Sequence, residues 1–135
     1  MSYDEALSIW SEAAQDLSSA GLAQATGAHF NCADLCNQVA EKALQAVHVL
    51  EHGHRASYDH RLRPLGELVG APEEILSDLD ALTPYFPETF YAHTPPDLAD
   101  DAIDGETVAD LVQRARRVLR WARGPVMRGG WQAPG

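Results

Sequence analysis

One long apolar stripe constrains this sequence more than any other feature. From about His29 to Leu50, the residues Phe30, Ala33, Cys36, Ala40, Ala43, Leu44 and Val47 recur every three or four positions. That spacing gathers side chains on one face of a helix with 3.6 residues per turn. Gly53 is its natural stop. A helix with one apolar face must be covered by other elements, and the neighbouring segments repeat the same period. Ala6, Leu7, Trp10, Ala13, Ala14 and Leu17 follow Ser2 and Glu5, which stand in capping-box spacing, and this first helix should end near Gly21 or Gly27. Leu62, Leu65, Leu68 and Val69 mark a short helix closing at Gly70, and Ile75, Leu76, Leu79 and Leu82 a fourth with Pro72 in its first turn. Val108, Leu111, Val112, Ala115, Val118, Leu119 and Ala122 trace a last helix from near Asp104 to about Arg123.

No alternating strand pattern of useful length interrupts this series, and no internal repeat is visible. The expected fold is all-α, an up-and-down bundle of four to five antiparallel helices. A chain of 135 residues suits one core, so residues 1–123 are read as a single domain. Residues 124–135, with four Gly and two Pro, read as a flexible C-terminal tail in which Trp131 has no evident role. Between Thr83 and Pro96 four prolines stand among aromatic residues, which suggests an ordered, non-helical crossing loop pinned to the core by its rings.

Charge narrows the function. The formal net charge of -10 argues against indiscriminate binding to a phosphate backbone. The distribution is uneven, however. Every basic residue but Lys42 is Arg, no Asp or Glu follows Asp110, and Arg114, Arg116, Arg117, Arg120, Arg123 and Arg128 give an acidic protein one basic end. Arg55, Arg61 and Arg63 form a second group. No apolar run approaches the roughly 20 residues that span a bilayer, and no leader pattern follows Met1, so a cytoplasmic protein without membrane contact is expected. Cys32 and Cys36 are one helical turn apart and read as small buried packing residues. Metal-protease, P-loop and dinucleotide-binding signatures are absent, and no cofactor is expected.

Within the long stripe, Gln38-x-Ala-Glu-Lys-Ala-Leu-x-Ala46 resembles the second-helix signature of the HEPN domain family. The order of features around it also fits. Ala13-Ala14-x-Asp16-Leu17 precedes it, His60-x-Leu62-x-x-Leu65 follows, and a proline loop with tyrosines leads to a final helix ending in Leu119-x-Trp121. The resemblance covers roughly residues 5–123. It implies a helical bundle, often a homodimer, that acts as a metal-independent ribonuclease or binds RNA or nucleotide. Many members stand beside a minimal nucleotidyltransferase that serves as antitoxin. Active members carry an Arg, four to six residues, and then a His, the spacing of Arg55-Ala-Ser-Tyr-Asp-His60. By that resemblance His60 would be the general acid or base and Arg55 the phosphate clamp. Ala56 stands where a polar residue usually follows the Arg, Leu62 replaces a Tyr, and Thr89-Phe90-Tyr91 occupies a loop position where relatives often have Arg-Tyr-Pro.

Two other functions stay open at this level. His48 and His52 are four apart on one helical face, with Glu51 and His54 beside them, and His29 or His93 could complete a metal site in the bundle. Alternatively, the bundle is a non-catalytic dimerisation or interaction module whose basic last helix receives the partner.

Overall fold

The structure, a computed structural model, describes residues 2–130. Its elements are α1 (Ser2–Ala25), α2 (His29–His52), α3 (Leu62–Leu68), α4 (Glu73–Leu82), α5 (Pro87–Tyr91) and α6 (Gly105–Gly130), with 3₁₀ turns at Thr83–Tyr85 and Pro96–Leu98. No strand occurs among the described residues. The all-helical bundle is the one the apolar periodicity dictates.

Helices α1, α2 and α6 build the main body. Gly27, in the left-handed region at φ +79°, reverses the chain between α1 and α2. The two helices then pack as an antiparallel hairpin, with α6 against both. The Trp10 indole N–H donates to the Leu119 carbonyl at 3.0 Å, fixing α1 to α6. At the other end of the body His29 Nδ1–H donates to the Ile103 carbonyl, and Phe30 N–H donates to Asp100 Oδ1 at 2.9 Å. The starts of α2 and α6 therefore lie together, and the two helices run in the same direction. Lys42 and Asp16 join α2 to α1 through a 2.7 Å ion pair, so the charged residue in the Glu-Lys string has a structural partner.

The core contains every apolar position expected of α2, α4 and α6. Alanines at 6, 13, 20, 33, 40, 43, 115 and 122 carry much of it, which lets helix axes approach closely. Cys32 and Cys36 are fully buried free thiols within this core. A hydrogen bond from Cys32 and burial both push the Cys36 thiol above its ordinary range, as suits packing rather than reactivity. No helix among the described residues is long and apolar enough to cross a membrane.

Helix α1 runs through Gly21, where an added Cβ would meet nothing, and ends at Ala25, before Gly27, the later of its two expected stops. Three details differ from the sequence expectation. Leu68, the last residue of α3, is 55% exposed, while Val69 after it is buried. The segment 83–96 is not free of helix: prolines open α5 and both 3₁₀ turns, where a fixed φ and a missing N–H suit a first turn. Last, α6 passes Arg123 and Pro125 to reach Gly130, so residues 124–130 are helical rather than tail. Val126 extends the buried stripe, and Gly129 allows close approach to α2, since a Cβ there would collide with the Leu50 side chain. Trp131 and the rest of the expected tail lie outside the described residues.

Candidate functional site

Helix α2 ends on Gly53, whose left-handed φ of +79° lets its N–H donate to the Val49 carbonyl. The chain then runs to α3 with alternating burial: Ala56, Tyr58 and His60 are partly buried, while Ser57, Asp59 and Arg61 are exposed. Its anchors are specific. Gln45, a buried polar residue on α2, accepts the Ala56 N–H at 2.8 Å and donates back to the Ala56 carbonyl at 3.1 Å. His48 Nδ1–H donates to the His54 carbonyl at 2.7 Å. At the far end Leu62 N–H donates to Thr83 Oγ1, whose own hydroxyl donates to the Leu79 carbonyl. A loop fastened at both ends can hold side chains in fixed positions.

This loop and α2 bring Arg55, His60, Tyr58 and Glu41 into one cluster. Arg55 is half-exposed and its Nη1 lies 3.9 Å from Glu41 Oε2. The His60 ring stacks on Phe86, with centroids 3.7 Å apart and planes 13° apart, and meets Tyr58 edge-on at 5.2 Å. His60 also sits at φ +72°, the one non-glycine residue with positive φ among those described. Its Nδ1 and the Tyr58 hydroxyl are buried without a hydrogen-bond partner. Buried polar atoms are nearly always paired, so two orphans side by side on a strained loop mark a place where structure has yielded to something else.

Glu41 joins the two sequence-predicted residues electrostatically. Burial raises its carboxyl above the usual range, and Arg55, Lys42 and His60, in that order, pull it back. Arg55 and His60 therefore both act on one carboxylate. Burial also pushes the Tyr58 phenol up, with the Glu41 and Asp59 charges adding to it. Glu41, Tyr58 and Phe86 are the members that spacing alone did not identify. Glu41 stood in the quoted Glu-Lys string, and Tyr58 lies two residues before His60 rather than two after. Leu62, in the position where relatives have Tyr, is fully buried and belongs to the core.

The raised Glu41 carboxyl gives a pH prediction. When the folded pKa exceeds the unfolded one, the native state binds more protons, so stability falls as pH rises from the ordinary glutamate range through the folded value. Glu41→Gln removes that loss. The variant's melting temperature should vary less with pH over this window than that of the wild type, as calorimetry at stepped pH would read; an unchanged profile refutes the assignment.

The other candidates are placed differently. His48, His52 and His54 do cluster, with ring centroids 4.4, 5.3 and 6.4 Å apart. His48 and His54, however, use Nδ1–H on backbone carbonyls at the start of the loop. His29 lies near the opposite end of α2, about 28 Å from His48 at the helical rise, and cannot complete a set with it. No group of three or more His, Cys, Asp or Glu among the described residues could hold a metal ion. In the basic helix, Arg114 and Arg117 converge on the buried Asp78 carboxylate at 3.1 and 2.8 Å and so tie α6 to α4. Thr89 is exposed, while its neighbour Phe90 packs tilted against Phe30 at 4.7 Å and pins the proline segment to the core. A cleft of about 360 Å³ opens beside the cluster, lined by Tyr58, Arg61, Leu65 and the exposed Leu68.

The family model for the HEPN domain matches residues 6–124, nearly the whole described bundle. This chain belongs to the HEPN domain family. Two solved structures share the HEPN fold seen here. One is an archaeal HEPN homologue, ST0689, with a TM-score of 0.77 at 20% identity over 90% of this chain and 97% of its own. The other is TT1696 from Thermus thermophilus, with a TM-score of 0.78 at 20% identity over 89% of this chain and 97% of its own. No curated protein matches the sequence. Within this HEPN bundle, the Arg55–His60 loop connects the second and third helices.

Proposed function

We propose that this HEPN domain binds RNA or nucleotide at the Arg55–His60 loop and, in its sharper form, cleaves RNA without a metal ion. One observation carries the reading: Arg55 pairs with the partly buried Glu41 carboxylate at 3.9 Å, and on the same loop the His60 ring stands on a left-handed backbone with its Nδ1 buried and unpartnered. In cleavage the 2′-oxygen attacks phosphorus, the bond from phosphorus to the 5′-oxygen breaks, and a cyclic phosphate and a 5′-hydroxyl result. His60 would move a proton through Nε2, because Nδ1 is turned inward, and water would carry the second proton. Arg55 would neutralise the non-bridging oxygens once a phosphate displaces Glu41 as its partner.

By resemblance to the family we further propose a homodimer and a minimal nucleotidyltransferase antitoxin as partner, which makes the cleavage toxin-like. The competing reading, a non-catalytic interaction module, is favoured by Ala56, whose backbone serves to anchor the loop, and by the prior pairing of Arg55 with Glu41. Incubation with total RNA in EDTA separates the two. The ribonuclease reading expects cleavage by the wild type that falls by about 10²-fold or more in Arg55→Ala and His60→Ala. Equal cleavage in all three, or none in any, leaves the interaction module.

A further inference from the structure

The ten Lys and Arg residues fall into two sets by the partners they have. Lys42, Arg55, Arg61, Arg63, Arg114 and Arg117 each pair with a carboxylate. Arg116, Arg120, Arg123 and Arg128 form no ion pair with a described residue, and all four lie on α6, beyond the last acidic residue of the chain. Three of the four are aligned. Arg116, Arg120 and Arg123 stand at i, i+4 and i+7, one side of a helix, and Arg116 reaches no further than the neutral Gln113 amide at 3.3 Å. Arg128 is on another side, its guanidinium lying over Gly124.

This row does nothing for the fold. Leu111, Val118 and Ala122 bury the far side of α6, and Arg114 and Arg117 make its polar contacts to α4. Complementing the helix dipole accounts for charge in the last turn but not for Arg116 or Arg120, which stand well before the end. Three guanidinium groups without counter-charge on a chain of net charge -10 make a local anion-binding strip, and guanidinium matches phosphate geometry better than ammonium does. The strip is narrow, rising about 6 Å and then about 4.5 Å along the axis. A single strand can follow it, whereas a broad duplex would press its second strand on the acidic remainder of the protein.

We propose that the outer side of α6, through Arg116, Arg120 and Arg123, is a track for the phosphate backbone of single-stranded RNA. The proposal deepens the RNA reading and rests on it for the identity of the polyanion. The C-terminal ends of α6 and α2 meet where Gly129 packs on Leu50, and α2 leads directly into the Arg55–His60 loop. A strand held on the track can therefore continue towards that loop.

The test is binding of a fluorescein-labelled oligouridylate, on the order of twelve nucleotides and 2′-O-methylated to prevent cleavage, read by anisotropy across a salt series. Losing three phosphate contacts should make the slope of log K against log salt shallower by about 2 and weaken binding by about 10²-fold near 0.1 M salt. The variant is Arg116→Gln/Arg120→Gln/Arg123→Gln, with circular dichroism and melting temperature confirming an intact fold. Unchanged affinity and slope overturn the track, as does absence of binding by the wild type. A triple variant that binds RNA normally but no longer self-associates also overturns it, in favour of a protein contact. Cleavage of an unmodified strand is the separate readout. Normal binding by the triple variant of a cleaving wild type sinks only the track, and lost binding with no cleavage in either protein sinks only the catalytic reading.

Discussion

His60→Gly is expected to lower RNA cleavage by about 10²- to 10⁴-fold, the contribution of a positioned acid or base, while leaving the domain nearly as stable as the wild type. The argument turns on the backbone. His60 occupies φ +72°, where a side chain costs about 1–2 kcal/mol and glycine nothing. Against that relief stands the lost stacking on Phe86, about 0.5–1.5 kcal/mol beyond area burial, and the greater freedom of glycine in the unfolded chain. These terms nearly cancel, and removal of the unpartnered buried Nδ1 offsets the lost burial of the ring. His60→Ala forfeits the stacking and keeps the strain, so it should be the less stable of the two by about 1 kcal/mol. Chemical denaturation of both variants, with cleavage measured on the same samples, checks the ordering. If His60→Gly proves much less stable than His60→Ala, the left-handed backbone is wrong; if it cleaves like the wild type, the imidazole has no catalytic part. The pairing matters because loss of activity in an alanine variant alone could be a loss of fold.

The same residue shows what the sequence made legible. That His60 follows Arg55 by a spacing shared with HEPN relatives could be read directly, and so could the apolar stripe that places α2 in the core. The left-handed φ could not, because histidine adopts it uncommonly even though more readily than most residues, and the loop is held from outside, by Gln45 on Ala56 and by Thr83 on Leu62. Glu41 escaped for a similar reason. On α2 it reads as a polar neighbour of Lys42, and only the return of the loop across the helix brings Arg55 to it. The end of α6 lies beyond its expected stop because Gly124, Pro125 and Gly129 are helix breakers by intrinsic propensity alone. Burial of Val126 and the close seat of Gly129 against Leu50 outweigh that preference, which is a tertiary effect. The histidine cluster was the opposite case: its spacing suited a metal, yet no group of three or more His, Cys, Asp or Glu among the described residues could hold one, and the Nδ1–H groups of His48 and His54 fasten the loop.

Gly66→Ala should change sign with the residue at position 79. An added Cβ on Gly66 would collide with Leu79 Cδ1 and stand 2.8 Å from Leu76 Cδ2, at the contact of α3 with α4. Leu79 is fully buried, so its methyl has no free space to move into. In the wild-type background the overpacking, about 1–3 kcal/mol, outweighs the roughly 1 kcal/mol that alanine gains over glycine in a helix, and Gly66→Ala destabilises. Leu79→Ala alone should cost about 2–5 kcal/mol through lost burial and a cavity. In that background the methyl added at position 66 enters the vacated space, the Leu79 clash is gone, the Leu76 side-chain end can shift into the same space, and Gly66→Ala becomes stabilising. Urea denaturation of the four proteins gives the coupling, expected to favour the double variant over additivity by about 1–3 kcal/mol. Additive effects would mean that α3 and α4 are further apart than described. The contact reaches the site through the backbone, because the Leu79 carbonyl accepts the Thr83 hydroxyl, and Thr83 Oγ1 accepts the N–H of Leu62 two residues after His60. A Leu79→Ala variant that loosens this seat should therefore lose RNA cleavage beyond its loss of folded protein, and the double variant should recover part of it.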